Sequence, residues 1–223
     1  MIQAILFDMD GLLVDSEPYW DEARKMLVAE AGLNWDWNMD DQNAVMGSST
    51  HDWVDYLIRR FNLDMPPQTV EAQIIDNMAR LFRRQIPFLP GAVASVTLAA
   101  DNFRIGLASS SPTRLIQAVI SDKALKGKFQ ATLSGDHVSR GKPAPDIYLA
   151  AAEALGVKPE YCACCEDSGN GILAGKAAGM QVIAVPDHRF SPSAEILSKA
   201  DLVLASLEEL SLETFNSLCT LRE

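Results

Sequence analysis

The sequence has little positive charge and no long apolar run. Lys and Arg number 19 against 30 Asp and Glu, which leaves a formal net charge of −11. This acidic balance argues against nucleic acid and anionic membranes as partners. No apolar run approaches the ~20 residues of a membrane-spanning helix. The N-terminus has no basic region leading into an apolar one, so we expect no signal peptide and a soluble, cytoplasmic protein.

Cysteine and histidine are also scarce, with four and three residues in 223. Cys162, Cys164 and Cys165 lie together, but none of the histidines stands at the spacing of a typical zinc site. Buried cysteines behave as small hydrophobic residues. A buried strand over residues 161–165 is therefore the better interpretation of this cluster.

The N-terminal stretch is the most informative part of the chain. Residues 2–7 form a short apolar run that is typical of a strand buried on both faces. The run ends on Asp8 and Asp10, whose mutual repulsion in a buried place would be offset by a hard divalent cation. Gly11 then allows a sharp backbone turn. An ordinary surface turn explains these residues equally well, so the rest of the chain has to decide.

Residues 16–87 have a helical character. Apolar residues recur at helical spacing through 19–31, 51–61 and 70–86, and Pro66-Pro67 stands before the last of these segments. We predict an all-helical insertion over this region. The alternative is that these helices merely cover a single domain, but their concentration between two strands favours a separate unit.

From Gly91 onward, strand and helix patterns alternate with short loops, which predicts a parallel sheet covered by helices on both faces. Polar residues follow four of the strands, and the carboxyl ends of parallel strands share one edge. Each has an ordinary alternative as a solvated lysine or a helix cap, but their convergence favours a site. They are Asp8 and Asp10 after the first strand, Ser109 and Ser110 after the second, Lys142 beyond the third, and Glu166 and Asp167 after the fourth.

Four segments resemble, in order, the signatures of the haloacid dehalogenase superfamily of phosphohydrolases. The chain is most similar to its β-phosphoglucomutase-like branch, particularly to bacterial 2-deoxyglucose-6-phosphate and hexitol phosphatases. The resemblance implies an α/β fold with a Rossmann-like parallel sheet, a catalytic core over 1–15 and 88–223, and an inserted all-helical C1-type cap over 16–87 that determines specificity. The segments are Asp8-Met-Asp-Gly-Leu-Leu-Val-Asp-Ser-Glu17, Leu107-Ala-Ser-Ser-Ser111, Gly141-Lys-Pro-Ala-Pro-Asp146, and Glu166-Asp-Ser168 with the glycine-containing stretch up to Met180.

The same resemblance implies a Mg²⁺-dependent phosphatase that hydrolyses a small phosphorylated metabolite, such as a sugar phosphate, through an aspartyl phosphate. We expect a monomer or weak oligomer. By this resemblance, Asp8 would be the nucleophile and Asp10 the general acid and base. The metal would be held by Asp8, Asp167 and the main-chain carbonyl of Asp10, with Glu166 behind these ligands. The phosphoryl group would be bound by Lys142, Ser109 and the amide at Ser110.

Two other functions stay open at this point. A β-phosphoglucomutase-type mutase is the nearest enzyme alternative, but the resembling mutase has an Arg and a His where this chain has Thr50 and Trp20 in an ungapped comparison. A non-catalytic phosphosugar-binding protein would typically lose Asp8 or Asp10, and both are present. A dehalogenase would need neither Asp10 nor Asp167, and a receiver domain would lack the helical insertion.

Overall fold

The computed structural model describes residues 1–41 and 50–220, apart from the side chains at 50–52, 219 and 220. Residues 42–49 lie outside the described residues, and so does the side chain of Thr50, on which the mutase alternative depends. The chain divides into two compact units. One comprises Met1–Ser16 and Ile86–Glu223, and the other comprises Glu17–Gln85.

The larger unit contains a six-stranded sheet in the order β3-β2-β1-β4-β5-β6, and every pairing in it is parallel. The α/β fold with helices around a parallel sheet is thus confirmed. Central strands of such a sheet are covered on both faces and read as continuous apolar runs, as β1 does with all four residues buried. The strands are β1 (Ala4–Phe7), β2 (Arg104–Ser109), β3 (Ala131–Ser134), β4 (Cys162–Glu166), β5 (Gln181–Ala184) and β6 (Leu202–Val203).

Strand register brings the polar residues to one edge. Phe7, the last residue of β1, pairs with Leu107 of β2 on one side and with Cys165 of β4 on the other. The next residues along these strands, Asp8, Ala108 and Glu166, therefore lie at the same level of this edge. The strand predicted over 161–165 is confirmed, since Cys162 and its two neighbouring cysteines are buried, free thiols within β4.

Helices of the larger unit lie between the strands along the chain. Near the C-terminus, residues Leu207–Glu209 form a 3₁₀ turn before the last helix begins at Leu212. The short helix Ala194–Leu197 was not predicted. Within the described residues, no helix combines the length and apolarity needed to span a membrane. The helices of this unit are α4 (Ala92–Asn102), α5 (Thr113–Ile120), α6 (Asp146–Leu155), α7 (Gly169–Ala177), α8 (Ala194–Leu197) and α9 (Leu212–Thr220).

The smaller unit consists of helices α1 (Glu17–Glu30), α2 (Thr50–Phe61) and α3 (Pro67–Arg84) in its described part. Pro67 occupies the first turn of α3, where a missing amide hydrogen costs nothing. The indoles of Trp35 and Trp37 stack at 5.0 Å between ring centroids, so these two tryptophans pack against each other inside this unit.

Close packing between α7 and the sheet depends on Gly175. A Cβ at this position would overlap the side chains of Cys164 and Val182, both of which are fully buried. We expect Gly175→Val to lower the free energy of unfolding by about 1–3 kcal/mol through overpacking, as measured by urea denaturation. Gly141→Val, at a position with open space around it, should change it by less than about 0.5 kcal/mol. Equal stability of the two variants would contradict this account.

Candidate active site

The turn after β1 is shaped by glycine. The amide of Asp8 donates to the Cys165 carbonyl at 3.1 Å, which extends the sheet by one residue, and the amide of Gly11 then donates to the Val14 carbonyl at 2.9 Å. Gly11 has φ of 77°, and a Cβ there would overlap the carboxylate of Asp167. A glycine is therefore required both by the backbone conformation and by the acidic group beside it.

Lys142 joins two of the strand ends. Its ammonium lies 2.5 Å from Asp8 Oδ1 and 2.5 Å from Glu166 Oε1, and it also donates to the Ala108 carbonyl at 3.1 Å. The Lys142 side chain is only 6% exposed. Burial alone would lower the pKa of Lys142, but attraction to Asp8 and Glu166 outweighs it and raises the pKa above its ordinary value. The group is a permanently charged, buried cation.

Glu166 is held from three sides and is fully buried. The Tyr148 hydroxyl donates to its Oε1 at 2.5 Å, beside Lys142, and the Ser168 hydroxyl donates to its Oε2 at 3.2 Å. A Cβ at Gly171 would overlap the same carboxylate. Tyr148 is the functional neighbour that sequence reasoning missed. The sequence did contain a signal for this contact, because Tyr148 stands in a largely apolar helix segment and a buried tyrosine hydroxyl needs a hydrogen-bond partner.

Three carboxylates converge at this edge. Ligand oxygens of Asp8, Glu166 and Asp167 lie within 4.8 Å of one another. Burial, with repulsion from Glu166 and Asp10, raises the pKa of Asp8 to about 7, although Lys142 opposes this. Burial and repulsion from Asp8 and Glu166 raise the pKa of Asp167 to about 9. When all three carboxylates are ionised, Lys142 compensates only one of their charges, and their hard oxygen donors then suit a divalent cation such as Mg²⁺.

Asp10 is held apart from this cluster by serines. Its Oδ2 accepts from the Ser109 hydroxyl at 3.1 Å and from the Ser111 hydroxyl at 2.7 Å. Ser111 is fixed in turn, because its amide donates to the Ser109 hydroxyl and its carbonyl accepts from Ser134. Among residues 1–41 and 50–220, the buried Oδ1 of Asp10 has no hydrogen-bond partner. One carboxylate oxygen is thus anchored and the other is available to a bound molecule.

The structure brings most of the predicted site residues together. Asp8, Lys142 and Asp167 share one cluster, joined by Glu166. The side chain of Asp10 lies outside that cluster, so any part it takes in metal binding would come from its main-chain carbonyl. Ser109 contacts Asp10, whereas Ser110 is exposed just after β2. Ser111 was not singled out from the sequence, although it belongs to the same serine run.

Comparison with known proteins identifies a hydrolase family and a phosphatase relative. Residues 2–179 match the family model for haloacid dehalogenase-like hydrolases. Hexitol phosphatase B of Escherichia coli K12 is 36% identical over 212 residues, which cover 94% of this chain and 95% of that protein.

Solved structures agree with the fold. The crystal structure of CbbY from Rhodobacter sphaeroides in complex with phosphate has a TM-score of 0.83 and 26% identity, covering 97% of this chain and 100% of that one. The β-phosphoglucomutase of Clostridium difficile has a TM-score of 0.77 at 24% identity, covering 100% of this chain and 99% of that one, which shows a shared fold.

The raised pKa values predict an unusual pH dependence of stability. A carboxyl whose pKa is higher in the folded than in the unfolded chain binds a proton on folding, so stability is lost as pH rises. In excess chelator we expect the free energy of unfolding to fall between pH 5 and 9 as Asp8 and Asp167 ionise, by on the order of 2–4 kcal/mol. Urea denaturation at several pH values measures this loss.

Asp167→Asn should flatten the profile and make the protein more stable than the wild type at pH 9. The control is Asp101→Asn, an exposed carboxylate near the end of α4, which should keep the wild-type slope. A wild-type stability that is constant or rises from pH 5 to 9 would contradict the charge excess.

Proposed function

We propose that this protein, which belongs to the haloacid dehalogenase-like hydrolase family and is a phosphatase of its β-phosphoglucomutase-like branch, releases phosphate from a small sugar phosphate. The observation that carries the proposal is the contact of buried Lys142 with Asp8, beside Asp167. That contact supports a role for Asp8 as a carboxylate nucleophile held next to a fixed cation. The hexitol phosphatase relative supports a phosphorylated sugar or sugar alcohol as substrate.

Mg²⁺ is the metal that suits these residues. The donor set consists of hard carboxylate oxygens, and the raised pKa values of Asp8 and Asp167, caused by burial and by mutual repulsion, support a cation that would stabilise their ionised forms. We assign the metal to Asp8, Asp167 and the main-chain carbonyl of Asp10. Glu166 is already engaged by Lys142, Tyr148 and Ser168, and this supports a role behind the ligands. When bound, Mg²⁺ would offset the repulsion between these carboxylates and an incoming phosphate.

Asp8 and Asp10 divide the proposed reaction into two steps. An oxygen of the Asp8 carboxylate attacks phosphorus, the bond from phosphorus to the sugar oxygen breaks, and Asp10 protonates the departing oxygen. Asp10 then accepts a proton from the water that attacks the aspartyl phosphate, which releases inorganic phosphate and restores Asp8. The anchored Oδ2 and unpartnered Oδ1 of Asp10 support this exchange of protons.

Cations and hydrogen-bond donors complete the proposed phosphate site. Lys142 compensates negative charge both on Asp8 and on the transferred group, and its short contact with Asp8 supports that position. The amide at Ser110 would donate to a phosphoryl oxygen, and the Ser109 hydroxyl would do so by turning its single hydrogen from Asp10 to the phosphoryl group. We assign the choice of substrate to the helical unit, Glu17–Gln85, which forms a separate compact body.

Removal of the nucleophile tests the function directly. With Mg²⁺, we expect phosphorus NMR to show inorganic phosphate accumulating from a panel of hexose and hexitol phosphates. Asp8→Asn should reduce phosphate release by at least about 10⁴-fold, because an amide cannot form the aspartyl phosphate. Asp101→Asn should retain wild-type activity and serves as the matched control.

The same NMR experiment distinguishes a phosphatase from a mutase. Glucose 1-phosphate supplied with a trace of the bisphosphate should yield free phosphate. If glucose 6-phosphate accumulates faster than free phosphate, the mutase function replaces the phosphatase function. Phosphate release by Asp8→Asn at near the wild-type rate would overturn the nucleophile assignment.

Metal removal gives a separate test. We expect excess chelator to abolish phosphate release and added Mg²⁺ to restore it, since the carboxylates would otherwise repel the anionic substrate. Mg²⁺ should also raise the melting temperature, and more so at pH 9 than at pH 6, because protons compete with the metal for Asp8 and Asp167. Unchanged turnover in chelator, with elemental analysis confirming that no metal remains, would exclude this role.

A further inference from the structure

Arg189 binds two carboxylates from different parts of the larger unit. Its Nη2 donates to Asp15 Oδ1 at 2.7 Å and to Asp187 Oδ2 at 2.6 Å, and its Nε lies 3.0 Å from both oxygens of Asp187. The Asp187 side chain is 9% exposed, whereas those of Arg189 and Asp15 are 35% and 32% exposed. A guanidinium that spans two carboxylates in this way is geometrically specific.

Asp15 stands at the end of the turn that carries Asp10. Within that turn, the Gly11 amide donates to the Val14 carbonyl, and a bridge links Asp10 with Val14. The next amide, that of Asp15, donates to the Pro87 carbonyl at 2.9 Å. A displacement of Asp15 would therefore also shift Asp10, because the two residues belong to one hydrogen-bonded turn.

Asp187 belongs to the loop that follows β5. At the start of that loop, the Val185 amide donates to the Glu166 carbonyl at 2.7 Å. Glu166 in turn contacts Lys142. Arg189 consequently connects the turn that carries Asp10 with the segment fixed to the strand of Glu166.

A cavity of about 580 Å³ lies along this connection. It is lined on one side by Gly11, Leu12 and Asp15 of the turn and on the other by Asp187 and Arg189. The cavity borders the turn at Asp15, whereas Leu12, Leu13 and Val14 of the same turn are buried. The ion pairs of Arg189 with Asp15 and Asp187 therefore join two segments that line the same cavity.

We propose that Arg189 is a positioning residue, which holds the turn of Asp10 in register with the Glu166 strand by bridging Asp15 and Asp187. The proposal rests on the function proposed above, in which Asp10 protonates the leaving oxygen. Arg189 acts through Asp15 and the turn, and it contacts neither Asp10 nor the substrate in this role.

The leaving group provides a measurement that a merely structural role would not change. A sugar alkoxide is a poor leaving group and needs a proton from Asp10, whereas p-nitrophenolate departs without one. Misplacing the acid therefore lowers kcat/KM for a sugar phosphate much more than for p-nitrophenyl phosphate. A general loss of folded protein lowers both rates equally.

The experiment compares four variants of the full chain on these two substrates. Arg189→Gln should lower kcat/KM for the best sugar phosphate by roughly 10- to 100-fold and that for p-nitrophenyl phosphate by less than about threefold. Asp15→Asn should reproduce this selective loss, and the double variant should be no worse than the more impaired single variant, because both changes break the same bridge. Lys176→Gln is the matched control: Lys176 and Asp201 form an ion pair of similar exposure (36% and 22%) in the same unit, and both rates should stay unchanged.

Two further variants make the result decisive. Arg189→Lys keeps the charge but not the planar guanidinium, so a wild-type sugar-phosphate rate in this variant would overturn the two-carboxylate bridge. An equal loss of rate on both substrates in Arg189→Gln would overturn it as well. Arg189→Lys also provides the comparison if Arg189→Gln fails to fold. Asp10→Asn reports on the underlying mechanism: if it shows no leaving-group dependence, the proposed role of Asp10 fails, whereas selectivity in Asp10→Asn without selectivity in Arg189→Gln refutes the positioning role alone.

Discussion

The contact of one buried ammonium with two carboxylates is the interaction on which this site depends. Lys142 lies 2.5 Å from both Asp8 and Glu166, and without it these groups would be buried charges with no compensation, which is strongly destabilising. With it, the cluster still has an excess of negative charge, because Asp167 adds a third carboxylate. A folded site with three carboxylates and one ammonium is suited to take up a divalent cation, which would stabilise the ionised carboxylates.

The parallel sheet makes this concentration of charge possible. Asp8 and Lys142 are 134 residues apart in the chain, yet the parallel pairing of β1 with β2 and of β2 with β3 brings the segments that follow β1 and β3 to one edge. The buried apolar strands stabilise the fold, and the polar residues at their carboxyl ends form the site. The turn after β1 contributes most, since Asp8 and Asp10 leave it in different directions and acquire different partners.

Much of this arrangement could be predicted from the sequence, because strand ends are marked by abrupt changes from apolar to polar residues. The predicted convergence of Asp8, Lys142 and Asp167 follows from topology alone. The partners of Glu166 could not be predicted, because whether Tyr148 reaches it depends on how α6 is rotated against the sheet. The boundary between the 3₁₀ turn Leu207–Glu209 and the helix after it could not be predicted either, because the ends of helices are poorly defined by sequence patterns.

The central claim is that Asp8 becomes phosphorylated during turnover. Borohydride reduces an acyl phosphate to an alcohol, so treatment during steady-state turnover of a sugar phosphate should convert the modified aspartate to homoserine, which mass spectrometry of the digested protein locates. The account predicts modification at Asp8, dependent on substrate and on Mg²⁺. Modification at Asp10 or Asp167 instead, or none at all while phosphate is being released, would contradict it.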